Sequence, residues 1–475
     1  MNKTLIRFTF TALIFLGLNV KTFGQGYDIK ITVEGMQDSV AYLGYVFGDQ
    51  RFLTDTTRAS APGVYRFTGA RELPTGIYFL YTPNYFLELI VKEQKFSLKT
   101  TKEGAFRTME VTSSPENLVF KEFQMGMVEL QTQKQAIRKK LEQASTAADS
   151  SAIFEEDKQV NEKLNDFRQN LIAKYPDSFV AKFVRLMALP DVPGIPEYSE
   201  VTDDLERGRL KYEYYKRKYF ESIDFDDSGL LRTPVLKSPV IHFLDKVVIQ
   251  HPDTINVYVD KIMTKVLDQP DAFRFWLVTL FKKYQESKIM GMDGVMVNLA
   301  EKYYLTDKAD WLSKEDKEKL AEEVEFVSPN LVGKQAPTLQ LLDTLLSPIN
   351  LSQVKAEFTI LFFYDPNCGH CKKSTPVLLE EYHRLKDSGV EVMGICISTD
   401  IEEWRRFVYE YELDWINAAD PYYRSNMRRD YNVRTTPQVY ILDKNKKIIA
   451  KKLEVEQLAG FIEQYRAVQR PAGED

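Results

Sequence analysis

The fold of the last part of the chain is indicated by Phe358-Thr-Ile-Leu-Phe-Phe-Tyr364, which is followed by Asp365-Pro-Asn367 and Cys368-Gly-His-Cys371. The first seven of these residues form a continuous, largely apolar run, which is typical of a strand buried on both faces of a sheet. A helix is predicted to begin at the cysteines. The sequence therefore predicts a strand, a short turn and a helix, with Cys368 at the helix N-terminus and Cys371 one turn further in.

Strands and helices alternate around this unit from Pro329 onward, which predicts a parallel or mixed sheet with helices on both faces. A strand is expected at 390–397, a helix beginning near Asp400, and a hairpin formed by 438–442 and 447–450. A last helix is expected over roughly 455–468. The sequence therefore predicts an α/β domain at 330–468, and the last residues, 469–475, are expected to be a disordered tail.

The residues upstream of this domain change their period once. Short runs of alternating apolar and polar residues fill 26–112 and predict an antiparallel β-sandwich. From 114 to 325 the period is that of helices, and Ser114 with Pro115 has the sequence of a helix N-cap and first turn. The predicted fold class is therefore multidomain α+β, with a central all-α domain between the β-sandwich and the C-terminal α/β domain.

Composition limits the class of protein. A chain of 475 residues is too long for one hydrophobic core, and its 44% hydrophobic and 28% charged residues are typical of folded protein. A net charge of −6 argues against nucleic-acid binding, which normally needs a basic surface.

The first 24 residues have the pattern of a secretory signal peptide. Lys3 and Arg7 precede an apolar run from Phe8 to Leu18, which is shorter than the roughly 20 residues that a membrane-spanning helix needs. We therefore expect 1–24 to be removed and the mature chain to reach the periplasm or cell envelope, without an integral membrane segment.

The cysteine pair indicates redox chemistry. At a helix N-terminus, free N–H groups and the helix dipole favour the thiolate of Cys368, which is the attacking species in disulfide exchange. Cys371 can then attack the mixed disulfide and release the reduced substrate. His370 adds a group that carries positive charge beside the thiolate when protonated.

Other interpretations of the cysteines are weaker. The chain has three cysteines and four histidines, and no second cysteine pair or histidine spacing completes a zinc site, so no metal and no cofactor are expected. An inactive structural disulfide is a second alternative. The third cysteine, Cys396, lies in a predicted strand among apolar neighbours and is expected to be an inert core thiol.

Residues 330–468 resemble the thioredoxin-like family, specifically the TlpA-like branch of periplasmic thiol–disulfide oxidoreductases. The resemblance rests on Gly333-Lys-Gln-Ala-Pro337, on the strand and helix around the CGHC tetrapeptide, on Pro376 and on Arg434-Thr-Thr-Pro-Gln438. The residues 27–112 and the helical stretch that follows also resemble the β-rich and helical domains that often precede TlpA-like domains in envelope proteins.

The resemblance implies roles for six residues. Cys368 and Cys371 would be catalytic, and Gly369, His370, Thr436 and Pro437 would support them. It also implies a cis Thr436–Pro437 bond that turns the Thr436 backbone toward the cysteines, where an extended substrate can pair with it. Three places depart from the family. Phe362 occupies the place of a buried carboxylate, and Lys373-Ser374 occupies the stretch where some TlpA-like reductases carry a Glu, so the proton acceptor of Cys371 is unassigned. Asn367 occupies the place of the usual Trp.

The predicted function is therefore that of an exported enzyme, a thiol–disulfide oxidoreductase that exchanges disulfides with envelope proteins through its CGHC dithiol. The four residues do not decide between reductase and oxidase or isomerase. A reductase would take electrons from a membrane-embedded thiol relay. The alternative is an envelope binding or scaffold protein whose redox pair is a switch or a remnant. A peroxidase is not expected, because no Pro-x-x-x-Thr-x-x-Cys pattern surrounds Cys368.

Overall fold

A computed structural model describes residues 26–143, 147–188, 198 and 200–469. The predicted signal peptide, 1–24, lies outside these residues, and so does the predicted tail apart from residue 469. The chain divides into two compact units, of which the first ends at Ile241 and the second begins at His242. The domain limits expected from the sequence stay predictions. Within the described residues, no helix has the length and apolar character needed to cross a membrane.

The first unit opens with a β-sandwich. Its strands are β1 (Asp28–Glu34), β2 (Val40–Phe47), β3 (Gln50–Arg58), β4 (Val64–Thr68), β5 (Gly76–Thr82), β6 (Tyr85–Val91), β7 (Lys95–Thr101) and β8 (Glu110–Thr112). They form two four-stranded sheets, ordered β4-β1-β7-β8 and β3-β2-β5-β6. Alternate residues such as Ile29, Ile31 and Leu43 point into one shared core, as the period-two pattern predicted.

One strand pair departs from the expected antiparallel arrangement. β1 and β7 run parallel, with Ile29 opposite Phe96, so the first sheet is mixed. The physical reason is the long connection between them: no tight hairpin fixes their direction, because the chain passes through β2 to β6 before it returns.

Helices complete the first unit. They are α1 (Pro115–Gln143), α2 (Ala147–Lys174), α3 (Phe179–Leu186), α4 (Asp204–Glu221), a 3-10 turn (Ser228–Arg232) and α5 (Lys237–His242), whose last residue already belongs to the second unit. α1 begins at Pro115 as predicted, and the Ser114 hydroxyl accepts a hydrogen bond from the Asn117 N–H at 3.3 Å.

The second unit begins with a helical part. It contains a π-helical turn (Phe243–Val247), α6 (Pro252–Lys265), α7 (Pro270–Gln285), α8 (Asp293–Leu299), a second π-helical turn (Ala300–Tyr304), α9 (Lys314–Val327) and a 3-10 turn (Ser328–Asn330). Their apolar faces are buried, with Trp276, Leu277 and Leu280 fully enclosed. The central helical region of the predicted fold class is thereby confirmed.

The rest of the second unit is a seven-stranded mixed sheet, as predicted. Its strands are β9 (Gln340–Leu342), β10 (Pro348–Asn350), β11 (Phe358–Tyr364), β12 (Val390–Cys396), β13 (Ile416–Ala419), β14 (Gln438–Leu442) and β15 (Ile448–Lys451), in the order β10-β9-β13-β12-β11-β14-β15. The helices are α10 (Gly369–Leu385), α11 (Ile401–Glu410), α12 (Met427–Asp430) and α13 (Leu458–Gln469). α10, α11 and α13 contribute to the core on one face of the sheet, and the short helix α12 contributes to the core on the other. β11, β12 and β13 are parallel, so their carboxyl ends share one edge of the sheet.

β11 explains why this sheet needs helices on both sides. All seven of its residues are buried. Phe362 and Tyr364 belong to one core, together with Leu378 of α10, while Leu361 and Phe363 belong to the core on the opposite face. The continuous apolar run therefore places the end of β11, and the cysteines after it, in the middle of a rigid layer.

Candidate active site

The turn between β11 and α10 is fixed by its own hydrogen bonds. The Asp365 carboxylate accepts a bond from the Asn367 N–H at 2.8 Å, and the Asp365 carbonyl accepts one from the Cys368 N–H at 3.0 Å. This closed turn follows a fully buried strand, so it has little freedom to move. It places Cys368 directly before the first residue of α10.

Cys368 is the N-cap of α10. Its backbone is extended (φ −77°, ψ 119°), and its sulfur accepts a hydrogen bond from the Cys371 N–H at 3.4 Å. Partial burial acts to raise the pKa of the Cys368 thiol, but the N–H donors of Cys371 and His370 outweigh it and the pKa is lowered. The sulfur is partly exposed, which suits it to attack a substrate.

Cys371 lies one turn further into the helix and is fully buried. Burial raises the pKa of its thiol to about 12, because a thiolate is poorly solvated there. Both cysteines are free thiols in this structure. The pair therefore combines an accessible thiol that ionises readily with a protected thiol that stays protonated.

The loop after α12 meets the first cysteine. The Thr436–Pro437 peptide bond is cis, as the resemblance implied. The Cys368 thiol donates to the Thr436 carbonyl, with 3.3 Å between sulfur and oxygen. Two segments 68 residues apart in sequence thus come together at the same sulfur.

The two residues between the cysteines contribute differently from each other. A Cβ on Gly369 would meet no heavy atom within 4 Å, so space does not require glycine there. The side chain of His370 is exposed, and the contact that favours the Cys368 thiolate comes from its backbone N–H. Pro376 lies inside α10, at the place the resemblance indicated.

Comparisons with known proteins agree with this geometry. Residues 332–451 match the AhpC/TSA family, and residues 131–330 match a family described as Domain of unknown function (DUF5106). Thiol-disulfide oxidoreductase ResA of Bacillus thuringiensis subsp. konkukian is 30% identical over 135 residues, which are 28% of this chain and 76% of that protein. The chain belongs to the family of ResA-like thiol-disulfide oxidoreductases.

Two further similarities concern the same region. A ResA protein of Bacillus cereus is 27% identical over 135 residues, covering 28% of this chain and 77% of that protein. A solved domain of a possible thiol-disulfide isomerase from Cytophaga hutchinsonii is 37% identical and covers 29% of this chain and 95% of that one, with a TM-score of 0.28. The resemblance inferred from the CGHC region is confirmed at the level of the family by the 30% identity to ResA of Bacillus thuringiensis, of which this chain covers 76%.

The buried cysteine, Cys371, lies in an apolar core that also contains Phe362 and Tyr364. Phe362 is fully buried, and Tyr364 next to it accepts a hydrogen bond from the Trp404 indole N–H at 3.1 Å. In the described part of the chain, no carboxylate forms a hydrogen bond with the Cys371 sulfur. The Cys371 carbonyl does accept a bond from the Thr375 hydroxyl at 2.8 Å, which holds the first turn of α10.

Cys396 lies in β12 directly opposite Tyr364 of β11 and is fully buried. Burial raises the pKa of its thiol to about 12. It belongs to the same core as Cys371 and Leu378. This position agrees with the prediction of an inert core thiol.

Sequence reasoning missed one carboxylate at the site. Glu403, in the first turn of α11, accepts a hydrogen bond from the Asn367 side chain at 2.6 Å and another from the Ser398 hydroxyl at 3.1 Å. Asp400 caps the same helix by accepting from the Glu403 N–H at 2.9 Å. The acidic first turn was visible in the sequence as a helix signal, but its contact with the residue before Cys368 depends on the sheet bringing β11 and β12 together.

Proposed function

We propose that this chain is an exported protein thiol–disulfide oxidoreductase that acts through Cys368 and Cys371. The observation that carries the proposal is the placement of the two thiols: the partly exposed Cys368 sulfur caps α10 and accepts the Cys371 N–H, whereas the Cys371 side chain is fully buried one turn inside. This placement lowers the pKa of Cys368 and raises that of Cys371. A nucleophile must be available as thiolate, whereas its partner should stay protonated until the mixed disulfide has formed.

In the reducing direction, the Cys368 thiolate attacks one sulfur of a substrate disulfide. The substrate disulfide breaks, one substrate thiolate leaves, and a mixed disulfide joins Cys368 to the other substrate sulfur. Cys371 then attacks the Cys368 sulfur and displaces the second substrate thiolate, and a substrate thiolate takes up the proton that Cys371 loses. The two cysteines end as a disulfide, and the substrate has gained two electrons. The oxidising direction is the reverse sequence.

Thr436 and Pro437 are proposed to receive the substrate. The Thr436 carbonyl already contacts the Cys368 thiol at 3.3 Å, so a substrate sulfur bonded to Cys368 would lie beside the Thr436 backbone. An extended segment can pair with such a backbone as an added strand. We propose envelope proteins with thiols or disulfides as substrates, and a membrane-embedded thiol relay as the electron donor if the enzyme reduces.

Trapping of the mixed disulfide tests this function. In Cys371→Ser the second attack cannot occur, so we expect covalent adducts with several envelope proteins, detected on non-reducing gels and by mass spectrometry. The adducts should disappear when Cys368→Ser is added and persist when Cys396→Ala is added. One stoichiometric adduct, or none, would instead favour a binding or scaffold protein.

A further inference from the structure

The loop that precedes Pro437 is fixed at its base by the sheet. Tyr431 is fully buried, and its carbonyl accepts hydrogen bonds from the Gln438 side chain at 2.8 Å and from the Tyr440 hydroxyl at 2.6 Å. Val433 is buried in the core on the same face. Both ends of the loop are thus held within the thioredoxin-like part, while Arg434 and the residue after it are exposed.

The exposed part of the loop contacts α9, which lies in the helical part of the same unit. The Arg434 guanidinium donates to the Glu323 carboxylate at 2.6 Å. Its central carbon lies 4.3 Å from the centre of the Phe326 ring, within the range of a cation–π contact. Glu323 and Phe326 are one turn apart, so they hold one side chain from two directions.

α9 is itself anchored where it ends. Asn330, which is almost completely buried, donates from its amide to the Phe326 carbonyl at 2.6 Å and to the Asp430 carbonyl at 3.0 Å. The ammonium group of Lys451 in β15, also buried, donates to the Asn330 carbonyl at 3.0 Å and pairs with the Asp293 carboxylate at 2.6 Å. Leaving any of these buried polar groups without a partner would be costly, so Asn330 is held in place. Because Asn330 bonds to the Phe326 carbonyl, the end of α9 is held beside the loop as well.

We propose that α9 is a support for the substrate loop, and that Arg434 is the positioning residue through which it acts. Arg434 lies two residues before Thr436, whose carbonyl contacts Cys368. The support would hold the Thr436 backbone in the position from which it pairs with an extended protein substrate. This inference rests on the proposed function. It also gives a role to the end of the segment 131–330, whose matching family has no described function.

The proposal separates protein substrates from small ones. A protein substrate needs the loop backbone, whereas a small disulfide needs only the Cys368 sulfur. With the full chain and dithiothreitol as electron donor, we expect Arg434→Ala to raise the KM for insulin by about 3- to 10-fold. Glu323→Ala, which leaves the contact of Arg434 with Phe326 in place, should raise it by about 2- to 5-fold. Neither should change kcat for insulin, or the rate with hydroxyethyl disulfide, by more than about twofold.

Coupling between the two side chains provides the stricter test. The KM of the double variant Arg434→Ala/Glu323→Ala should be no higher than that of Arg434→Ala alone, because Arg434→Ala already removes the only Arg434–Glu323 contact that Glu323→Ala could remove. The exchanged pair Arg434→Glu/Glu323→Arg should recover part of the KM, without the Phe326 contact. Glu318→Gln is the matched control, since it breaks an exposed ion pair with Lys314 on the same helix and should leave KM unchanged.

Amide hydrogen exchange of peptides covering 428–440 gives a measurement that does not depend on activity. Exchange should become faster in Arg434→Ala and Glu323→Ala, and not in Glu318→Gln. Unchanged exchange and unchanged KM in both Ala variants would overturn the support by α9.

A wild-type chain that reduces neither insulin nor hydroxyethyl disulfide, but shows the coupled change in exchange, would overturn the proposed function and leave the support standing. If Arg434→Ala fails to fold, Arg434→Lys serves instead, since it keeps the charge and loses the planar contact with Phe326. The KM for insulin and the amide exchange of 428–440 should then both rise, but less than expected for Arg434→Ala. No rise in either would overturn the proposal.

Discussion

Cys368 and Cys371 are one helical turn apart, yet the pKa of the first thiol is lowered and that of the second is raised. The first lies where α10 still has unpaired N–H groups, and its sulfur accepts one of them. The second supplies that N–H from the third position of the helix, and the core has closed over its side chain. The order of events in disulfide exchange, attack first and resolution second, therefore follows from where α10 begins.

Alkylation of the reduced protein should reveal this difference directly. A thiolate reacts and a thiol does not, so each reactivity curve rises with pH through the pKa of its own thiol. The pKa of Cys368 is lowered, so its labelling by iodoacetamide should reach half-maximum at a lower pH than that of a free cysteine. Cys371 and Cys396, whose pKa values are raised to about 12, should stay unlabelled at pH 9.

The labelled residue is identified by mass spectrometry of tryptic peptides, with Cys368→Ser as the control. In that variant the fast reaction at low pH should be absent. A half-maximum for Cys368 equal to that of a free cysteine would contradict its role as the attacking thiol. Rapid labelling of Cys371 in the folded protein would contradict its burial.

At the scale of elements, β15 is an edge strand that is buried along its whole length. An exposed edge would invite pairing with another chain. Here Ile448 of β15 exchanges backbone hydrogen bonds with Gly333 and Lys334, and the helical part contacts Lys451 at the end of the strand. The Lys451 N–H donates to the sulfur of Met290 at 3.3 Å, and the Lys451 ammonium group reaches Asp293 and Asn330. The sheet of the oxidoreductase part and the helices before it are therefore joined by a charged contact inside the second unit.

Removing one charge of this contact should destabilise the second unit. Asp293→Ala leaves the buried Lys451 charge with only neutral oxygens, and we expect the free energy of unfolding to fall by about 2–4 kcal/mol. Lys451→Met removes the buried charge and should cost less, because a buried pair is costly to desolvate. Urea denaturation of both variants, followed by a spectroscopic signal from the second unit, measures the difference.

The pH dependence of Asp293→Ala gives an independent check. Burial lowers the pKa of the Lys451 ammonium group, whereas the charge of Asp293 and its hydrogen bond to Lys451 act to raise that pKa. Asp293→Ala removes both of these opposing effects. The unfolded chain then binds more protons than the folded one, so the stability of Asp293→Ala should rise as the pH increases toward the ordinary lysine pKa of about 10.4. If the variant loses stability over this range, Lys451 is not held as a buried cation.

What could be predicted from the sequence was local. The run from Phe358 to Tyr364 and the cysteines after it determine β11 and α10 without help from distant residues, and both were predicted. The contact of Arg434 with Glu323 was not, because 111 residues separate them. α9 itself was not singled out, since it has few apolar residues, although Ser313 followed by Asp316 is a capping signal that could have located its start.

At the scale of the whole molecule, the redox chemistry is confined to one part of the chain. All three cysteines, at 368, 371 and 396, belong to the second unit, and Cys396 is buried in a strand. Residues 26–241 contain no cysteine, so an oxidising compartment would change only the Cys368–Cys371 pair. The compartment in which the chain resides therefore sets the state of this one pair and no structural disulfide.

Export can be tested through the same pair. In a Gram-negative host, the full chain should fractionate with the periplasm and start near residue 25, which N-terminal peptide mass spectrometry would establish. A variant without residues 2–24 should stay in the cytoplasm, where thiol reductants keep Cys368 and Cys371 reduced, so both should be alkylated after acid quenching and unfolding. In the periplasm, removal of the host's oxidising enzymes should raise the fraction of Cys368 and Cys371 that is reduced and can be alkylated. A full chain that remains uncleaved in the cytoplasm would contradict the expected export.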